Sequence, residues 1–538
     1  MAVYIVSNLL VVDLLVLIVT ILTFSKLYQI AQRRVRTTKL KGPPSSSWIF
    51  GNSKKIFQGD SGEIHENWAK EYGSVYQVPA PFGGRRVVLM DAKAISHFYT
   101  RETFTYVNST FSKRSIANIV GKGLLWAEGE SHRRQRKTLT PAFSNAAIRN
   151  LTPVFYDSAY KVKAAWDAIL SSEEKIINVQ KWMNCISLDS IGIAGFGHNF
   201  GALDGRPSTV EEVFDTFGTL PPLGISILIP ILGIVFPILA KIPNDRSRLV
   251  KRLHNSMEEI SKVVLERSRQ ELEVEQKSDS ELSKSIIGAL LKAENSNLSN
   301  LRLTPEEVLA QMKVLILAGY ETTSISLTWA LIELSLHPEK QDKLRAELSE
   351  FANSDPTYDQ FSNGLPYLDS VFREVLRLHP PLSQTFRIAA HDDVIPLNDP
   401  VVTASGEKVN SITIAKGTSF LVPIRAMNRS EDIWGPDAKE FKPERWLNGD
   451  SGINGKAKDI QGYHHILSFI DGPRMCLGRA FATAEFKSVL SVLIRNYKFS
   501  LRDGPETKID MITTILPRPK VAGEEGSSMP MRVQRYEY

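Results

Sequence analysis

The sequence predicts a mainly α-helical protein with small β-sheets, an α+β fold, preceded by one N-terminal transmembrane helix. Two apolar patterns support this prediction, an almost continuous run from Val3 to Phe24, interrupted mainly by Asn8 and Asp13, and a long helical pattern from Thr304 to Leu336. A third observation is that strand-like runs are short, and they lie at Val75–Val78, Arg86–Met90 and Ser411–Ile414. Helices are therefore expected to form most of the core.

The composition is that of a globular protein, with 43% hydrophobic and 23% charged residues among 538. Only two cysteines occur, Cys185 and Cys476, which is too few for a disulfide framework and indicates a reducing compartment. The net charge of +6 fits an anionic membrane or an acidic partner as well as it fits nucleic acid. We predict no nucleic-acid partner.

Residues 1–25 are predicted to form a transmembrane anchor. About twenty apolar residues span a bilayer core at 1.5 Å of rise per residue. Asp13 would cost roughly 3 kcal/mol near the centre, and the many aliphatic side chains outweigh it at roughly 0.3 to 0.6 kcal/mol each. A cleaved signal peptide is the alternative, but no basic segment precedes the run and no small-residue cleavage site follows it.

Residues 26–47 are predicted to be a basic and proline-rich hinge, and residues 48–538 one large domain. Basic residues stay on the cytosolic side of a membrane, so the large domain is expected to face the cytosol. Gly42-Pro43-Pro44 stiffens the chain between anchor and domain. The basic residues are Lys26, Arg33, Arg34, Arg36, Lys39 and Lys41.

A second apolar run, Leu220 to Ile242, is interrupted by four prolines and two glycines. A lipid-exposed helix tolerates so many breaks poorly, because backbone groups freed in lipid find no partners. We predict an apolar flap here, and whether it enters the membrane surface is left open.

The clearest helix begins at Thr304-Pro305-Glu306-Glu307, where Thr caps, Pro takes the first helical position and Glu307 closes a capping box. His337-Pro338 ends it after Leu336. A helix of this length covers roughly 48 Å and is apolar on every side, so it should be buried.

The segment from Phe469 to Gly478 contains Cys476 between glycines and an arginine. A thiolate there could act as a nucleophile, which needs a neighbouring base, or as the axial ligand of a haem iron. For the second role, Gly472 and Gly478 permit close backbone approach, Arg474 can pair with a propionate, and Phe469 can shield the sulfur. A buried inert cysteine is a good reading of Cys185 and a poor one of Cys476.

This segment resembles the haem-binding loop of cytochromes P450, F-x-x-G-x-R-x-C-x-G, at every fixed position. A chance match in this chain is on the order of one in 10⁴ to 10⁵, so the motif is specific. The resemblance extends over nearly all of residues 40 to 520 and is closest to fungal microsomal members. It implies the cytochrome P450 fold and a haem whose iron is held by Cys476.

Ala318-Gly319-Tyr320-Glu321-Thr322-Thr323 resembles the oxygen-binding groove of the central P450 helix. Glycine in a buried helix opens space beside the backbone, and an acid next to an alcohol can deliver protons. The resemblance implies that Glu321 and Thr322 are this catalytic pair. The alternative is a charged residue beside a threonine that bonds back to its own helix.

Glu374 and Arg377 match the P450 E-x-x-R pair, and Arg445 lies in a segment resembling the one whose arginine completes that cluster. Trp446 follows, where phenylalanine is commoner. The resemblance implies that these three charged residues support the cysteine loop. The bare E-x-x-R pattern has little weight, since solvated helix pairs also produce it, at Glu130/Arg133 and Glu266/Arg269.

Three further residues are predicted by resemblance to bind haem, together with Phe469, Arg474 and Gly478. The family often has W-x-x-x-R in the helix at the haem edge, and here His132 replaces the tryptophan while Arg136 is the arginine. Arg387 occupies the place of another propionate ligand. His464 and His465 are expected to be surface or packing residues.

The resemblance implies a monooxygenase that inserts one oxygen atom of O₂ into an apolar substrate. The chain after Cys476 is short for a flavin domain, so electrons are expected from a separate NADPH-cytochrome P450 reductase, with cytochrome b5 as a further candidate. Terpenoid-like secondary metabolites are the predicted substrates, because the segments that select substrates in the family are apolar here. Fatty acids or xenobiotic aromatics are the alternatives, as are an isomerase or dehydratase and a non-catalytic haem-binding protein. The expected location is the endoplasmic reticulum membrane.

Overall fold

The structure is a computed structural model that describes residues 20–21, 28, 32–33, 35–171, 175–206, 209–219, 244–275, 285–298, 301–513, 515–524 and 526–537. Almost all of the predicted anchor (1–25) and the whole predicted flap (220–242) lie outside these residues.

The helices dominate the described chain, as the fold-class prediction expected. They are α1 (Ser53–Gln58), α2 (Ser61–Tyr72), α3 (Ala92–Thr100), α4 (Thr110–Val120), α5 (Gly129–Leu139), α6 (Asn145–Leu170), α7 (Val179–Phe196), α8 (Thr209–Thr219), α9 (Asp245–Glu275), α10 (Ile286–Glu294), α11 (Pro305–Leu336), α12 (Pro338–Leu348), α13 (Gln360–Asn363), α14 (Pro366–Leu378), α15 (Ile424–Arg429), α16 (Glu431–Trp434), α17 (Gly455–Lys458) and α18 (Arg479–Asn496).

The strands are short and form small sheets. They are β1 (Val75–Ala80), β2 (Gly84–Leu89), β3 (Tyr106–Val107), β4 (Ile176–Asn178), β5 (Thr385–Ala389), β6 (Asp393–Val402), β7 (Lys408–Ile414), β8 (Ser419–Val422), β9 (Tyr497–Leu501), β10 (Ile509–Thr513), β11 (Pro517–Val521) and β12 (Pro530–Arg535). The three strands predicted from sequence are β1, β2 and β7. The prediction of a mainly helical protein with small sheets is confirmed.

The chain divides into two compact units. The first contains the described residues of Met1–Val107 and Phe386–Pro423. Its sheet has the strand order β1-β2-β8-β5-β3, with β6 and β7 paired separately. Aromatic side chains fill its core, among them Phe98, Tyr106 and Phe420, whose rings lie 4.6 to 5.7 Å apart.

The second unit, Asn108–Thr385 and Ile424–Tyr538, is mainly helical. It also holds the sheet β4-β12-β9 and the hairpin β10-β11. Helix α11 packs against α7, α9, α14 and α18, and so forms the centre of this unit.

The capping box predicted at the start of α11 is confirmed. The Glu307 N–H donates to Thr304 Oγ1 at 3.2 Å, and the Thr304 N–H donates to Glu307 Oε2 at 3.0 Å. Among the described residues, α11 is the one helix long and apolar enough to cross a membrane, yet 78% of its most apolar stretch is buried. Because other helices cover it, α11 is a core helix.

Candidate active site

Cys476 lies in a tight loop between a 3₁₀ turn (Gly472–Arg474) and the start of α18. Its N–H donates to Phe469 O at 2.8 Å, which closes the loop around the thiol. Gly472 has a φ of 67°, a left-handed conformation that strongly favours glycine. The backbone conformation at this position therefore explains why the motif has a glycine there.

The Cys476 thiol is both deep and accessible. Burial raises its pKa, and the Gly478 N–H and the Arg136 and Arg479 guanidinium groups oppose that effect in part. Nevertheless Cys476 is exposed, whereas Phe469 and Phe481 nearby in the sequence are buried. Both observations hold together if the sulfur faces open space inside the protein.

A haem fits this environment chemically. A thiol whose pKa is raised by burial stays protonated unless a nearby cation stabilises the thiolate, and a bound metal ion does so strongly. A Cβ added to Gly478 would touch only Phe143, at an ordinary 3.8 Å, so the described protein atoms leave room at this backbone. A flat prosthetic group against that backbone accounts for the room.

Arg136 supplies positive charge beside the same thiol, and the charge of Arg474 acts on Arg136 in turn. Arg474 Nη2 donates to Ala127 O and to Glu128 Oε2, both at 2.6 Å, and these bonds hold its guanidinium in place. Burial and the charge of Arg474 lower the pKa of Arg136, and within the described part of the chain no carboxylate pairs with Arg136. Among the described residues, these two neighbouring guanidinium groups have one carboxylate partner, Glu128, which pairs with Arg474. The remaining positive charge suits an anionic ligand, such as a group bearing propionates.

His132 is buried one turn before Arg136 on α5. Residues four apart lie on the same helix face, so the two side chains project in the same direction. His464 is exposed and His465 is half-buried, with His465 Nδ1 3.3 Å from Ile460 O. These placements agree with the surface or packing role expected for the two histidines.

A second open surface occurs in the middle of α11. Ala318 is exposed, although the helix around it is mostly buried. The Thr322 hydroxyl donates to Ala318 O at 2.7 Å, as the back-bonding alternative described. The Thr322 hydroxyl oxygen can still accept a hydrogen bond, so this geometry is compatible both with back-bonding to the helix and with proton delivery.

Gly319 has a different role from the one predicted. A Cβ at this position would lie 2.7 Å from Ile191 Cγ1 of α7, far inside van der Waals contact. Glycine here permits close packing of α7 against α11 and does not open space at this point. Glu321, two residues later, is fully buried and pairs with Arg518.

Glu374 and Arg377 form a fully buried, two-bond ion pair, with Nε–Oε2 and Nη2–Oε1 both at 2.8 Å. Arg377 also donates to three main-chain oxygens, those of Asn428, Ala438 and Glu440. Arg445 Nε lies 3.5 Å from Glu374 Oε1. Burial alone would raise the pKa of Glu374, but the two arginines hold it below its usual value. The structure thus brings together the three residues predicted as a cluster.

Sequence reasoning missed two donors to the same carboxylate. Trp446 Nε1 donates to Glu374 Oε2 at 2.9 Å, and the Lys442 N–H donates to Oε1 at 3.0 Å. The signal was present in the unusual tryptophan, because indole has an N–H donor that phenylalanine lacks.

Arg387 lies on β5 in the first unit. Its Nε is 2.9 Å from Glu102 Oε1, and its Nη1 donates to Phe386 O at 2.7 Å. A buried carboxylate therefore accompanies this guanidinium, and its role as a propionate ligand stays a prediction.

Glu485 on α18 was also missed. It is fully buried, and burial raises its pKa to about 8, while the hydroxyls of Thr323, Ser187 and Ser190 oppose this in part. Within the described residues no arginine or lysine pairs with it. The available signal was an acid flanked by the apolar residues Ala484 and Phe486, nine positions after Cys476.

Comparison with known proteins matches the family model "Cytochrome P450" to residues 41–522. Two curated relatives, the cytochrome P450 monooxygenases claW and claP of Ampulloclitocybe clavipes, are each 56% identical, over 98% of this chain and 98% of theirs. Cytochrome P450 monooxygenase 205 of Postia placenta is 35% identical over 94% of both chains.

Proposed function

This chain belongs to the cytochrome P450 family and is a haem-thiolate monooxygenase, and on that premise we propose that it oxidises an apolar, terpenoid-like substrate with Cys476 as the iron ligand. The observation that supports the assignment most is the Cys476 thiol, which is deep in the second unit and yet accessible. A substrate that enters such an internal space has to lose its hydration shell, which favours apolar molecules.

When bound, the haem activates O₂ at its iron, and a thiolate ligand favours O–O cleavage. The protein's own groups would hold and tune it. The Gly478 N–H would stabilise the thiolate charge, Phe469 would keep water from the sulfur, and Arg136 and Arg474 would bind the propionates. His132 projects from the same face as Arg136 and would complete that end of the site.

Proton delivery is proposed for Glu321 and Thr322. The Thr322 hydroxyl donates to Ala318 O and can still accept a hydrogen bond; in the relay it would turn away from Ala318 O, so that it accepts one proton while it gives up its own. Glu321 is one residue away and would relay protons to it, by taking up a proton as a carboxylate and then passing that proton on. Such a pair is what oxygen insertion needs and what an isomerase or dehydratase does not, so it favours the monooxygenase over that alternative.

Electrons are proposed to come from a separate NADPH-cytochrome P450 reductase, with cytochrome b5 as a further candidate. Arg133 and Lys137 are exposed on α5, the helix that also bears Arg136. Exposed cations speed encounter with an acidic protein without adding much affinity. This surface is the proposed docking region.

A membrane location is also proposed. The apolar run at residues 1–25 and the basic residues after it favour a single-pass anchor with the catalytic domain in the cytosol, as expected at the endoplasmic reticulum.

A Soret-band titration of the haem-loaded full chain tests the substrate proposal, with terpenoids, fatty acids and aromatics as ligands. We expect a saturable shift with terpenoids, because a ligand that displaces iron-bound water changes the spectrum. A shift with another class alone would replace the terpenoid proposal, and no shift with any class would reject it.

The ligand assignment is tested by Cys476→Ser, with Cys185→Ser as the matched control. We expect the first variant to lose the reduced carbon-monoxide spectrum of a thiolate-ligated haem and the second to keep it. Product formation that needs both O₂ and NADPH would separate the monooxygenase from the other haem proteins considered above.

A further inference from the structure

Arg518 is a fully buried arginine that reaches the predicted catalytic acid from a distant part of the sequence. It lies on β11, opposite Ile512 of β10, and its Nε is 3.3 Å from Glu321 Oε1. Both side chains have no exposed surface. The Leu516 N–H donates to the same oxygen at 3.3 Å, so the β10–β11 hairpin supplies two donors to one carboxylate oxygen.

Two aromatic rings hold the guanidinium in position. Its carbon is 5.7 Å from the ring centre of Phe214 on α8 and 5.8 Å from that of Tyr320 on α11. These rings contact each other, with centres 4.7 Å apart. Guanidinium groups bind aromatic faces in this way, most strongly where water is excluded. Helix α8, the hairpin and α11 therefore meet at one cation.

The contact between Arg518 and Glu321 favours the ionised form of the Glu321 carboxylate and is longer than a strong ion pair. An adjacent guanidinium stabilises a carboxylate, and a carboxylate buried without one would take up a proton. Strong charge-assisted hydrogen bonds are about 2.7 to 2.9 Å long, and the Arg518–Glu321 contact is longer, at 3.3 Å, so this contact can be exchanged for another. A relay to Thr322 needs both properties, because the ionised carboxylate must first take up a proton and must then move to pass it on.

We propose that Arg518 is a positioning residue for proton delivery, which holds Glu321 ionised and oriented and links that acid to α8 and the β10–β11 hairpin. The proposal rests on the proposed role of Glu321 and Thr322. It assigns Arg518 no contact with substrate or cofactor, and its action passes through the Glu321 carboxylate.

The experiment measures coupling, the product formed per NADPH oxidised, in haem-loaded full chain with its reductase and the ligand that gives the largest Soret shift. The variants are Arg518→Met, Arg518→Lys, Glu321→Gln and the Glu321→Gln/Arg518→Met double variant. We expect Arg518→Met to lower coupling by about tenfold or more, with the lost electrons recovered as peroxide. Arg518→Lys should restore part of the coupling because it retains the charge.

The double variant tests whether Arg518 acts through Glu321. If it does, the double variant couples no worse than Glu321→Gln alone; additive losses would overturn the proposal. Turnover driven by hydrogen peroxide should stay near wild type in Arg518→Met, since peroxide supplies both the oxygen and the protons. Equal losses with NADPH and peroxide would indicate a structural defect and would also overturn it.

A matched control is Arg495→Met, which removes another buried arginine, one bound to Phe351 O and Ser354 O. It should lower stability and leave coupling unchanged. If Glu321→Gln is itself fully coupled, the acid–alcohol role fails and the Arg518 proposal falls with it. If Glu321→Gln uncouples while Arg518→Met does not, only the Arg518 proposal is rejected.

Discussion

Two buried arginine–glutamate pairs of the second unit are bonded very differently. Glu374 receives two bonds of 2.8 Å from Arg377, and further bonds from the Trp446 indole and the Lys442 N–H. Glu321 has a 3.3 Å contact with Arg518 and a 3.3 Å bond from the Leu516 N–H. The four bonds to Glu374 are 2.8 to 3.0 Å long, and the contacts that Arg518 and Leu516 make with Glu321 are 3.3 Å long.

This difference indicates different roles for the same pair of residue types. A buried ion pair offsets its desolvation cost only when its geometry is good and other donors complete it. The Glu374 cluster meets that condition and is suited to holding backbone segments at fixed distances. The Arg518 contact with Glu321 is longer, and a contact of that length is suited to an acid that exchanges protons.

The largest expected effect is on Glu374. Glu374→Gln leaves Arg377 and Arg445 buried without their anion, so it should lower the free energy of unfolding by about 3 to 5 kcal/mol and impair haem retention. Urea unfolding and the reduced carbon-monoxide spectrum measure both. Glu130→Gln is the matched control, because Glu130/Arg133 repeats the E-x-x-R spacing on an exposed helix face. Equal effects in the two variants would contradict the structural role.

Glu485 extends the comparison to a buried acid without a cation. Its pKa is raised from 4.5 to about 8, so the folded protein holds a proton that the unfolded chain loses above pH 4.5. Stability should therefore fall as the pH rises from about 4.5 to about 8.

Glu485→Gln removes this titration. It should stabilise the protein by a few kcal/mol at pH 8 and by little at pH 5, since one pKa unit is worth about 1.4 kcal/mol. Melting temperatures of variant and wild type at the two pH values provide the measurement. A difference that does not change with pH would show that Glu485 is ionised in the folded protein.

Trp446→Phe sharpens the comparison by removing one short bond. The ring remains to pack, but Glu374 loses the indole donor, so we expect a loss of about 1 to 3 kcal/mol in unfolding free energy with haem retained. Chemical denaturation measures the change. No loss would mean that the remaining donors to Glu374 suffice.

Thr322→Ala should have the smallest effect on stability, because the bond that its hydroxyl donates within the described residues is to its own helix, at Ala318 O. Its effect should appear instead as peroxide released per NADPH oxidised. Thr328→Ala provides a control, since Thr328 makes the equivalent bond to Ser324 O on α11. Tight coupling in Thr322→Ala would exclude the proton-delivery role.

The local features of this protein could be predicted from sequence because each depends on neighbours in the chain. The Thr304 capping box, the strands β1, β2 and β7 and the Cys476 motif all belong to this group. Resemblance to the family added Glu374, Arg377 and Arg445, which the fold does bring together. The bare E-x-x-R spacing was insufficient, because the exposed Glu130/Arg133 pair has the same spacing.

The partners of the buried acids were decided only by tertiary structure. Arg518 meets Glu321 across 197 positions, and Ile191 takes the place that a Gly319 side chain would fill. Glu485 became a high-pKa acid because three helices exclude water around it. Hydrophobic pattern, capping and the Cys476 motif depend on residues close together in the chain, so the sequence alone determined these features. Burial and charge pairing act through space, so only the packed fold fixed the surroundings of each acid.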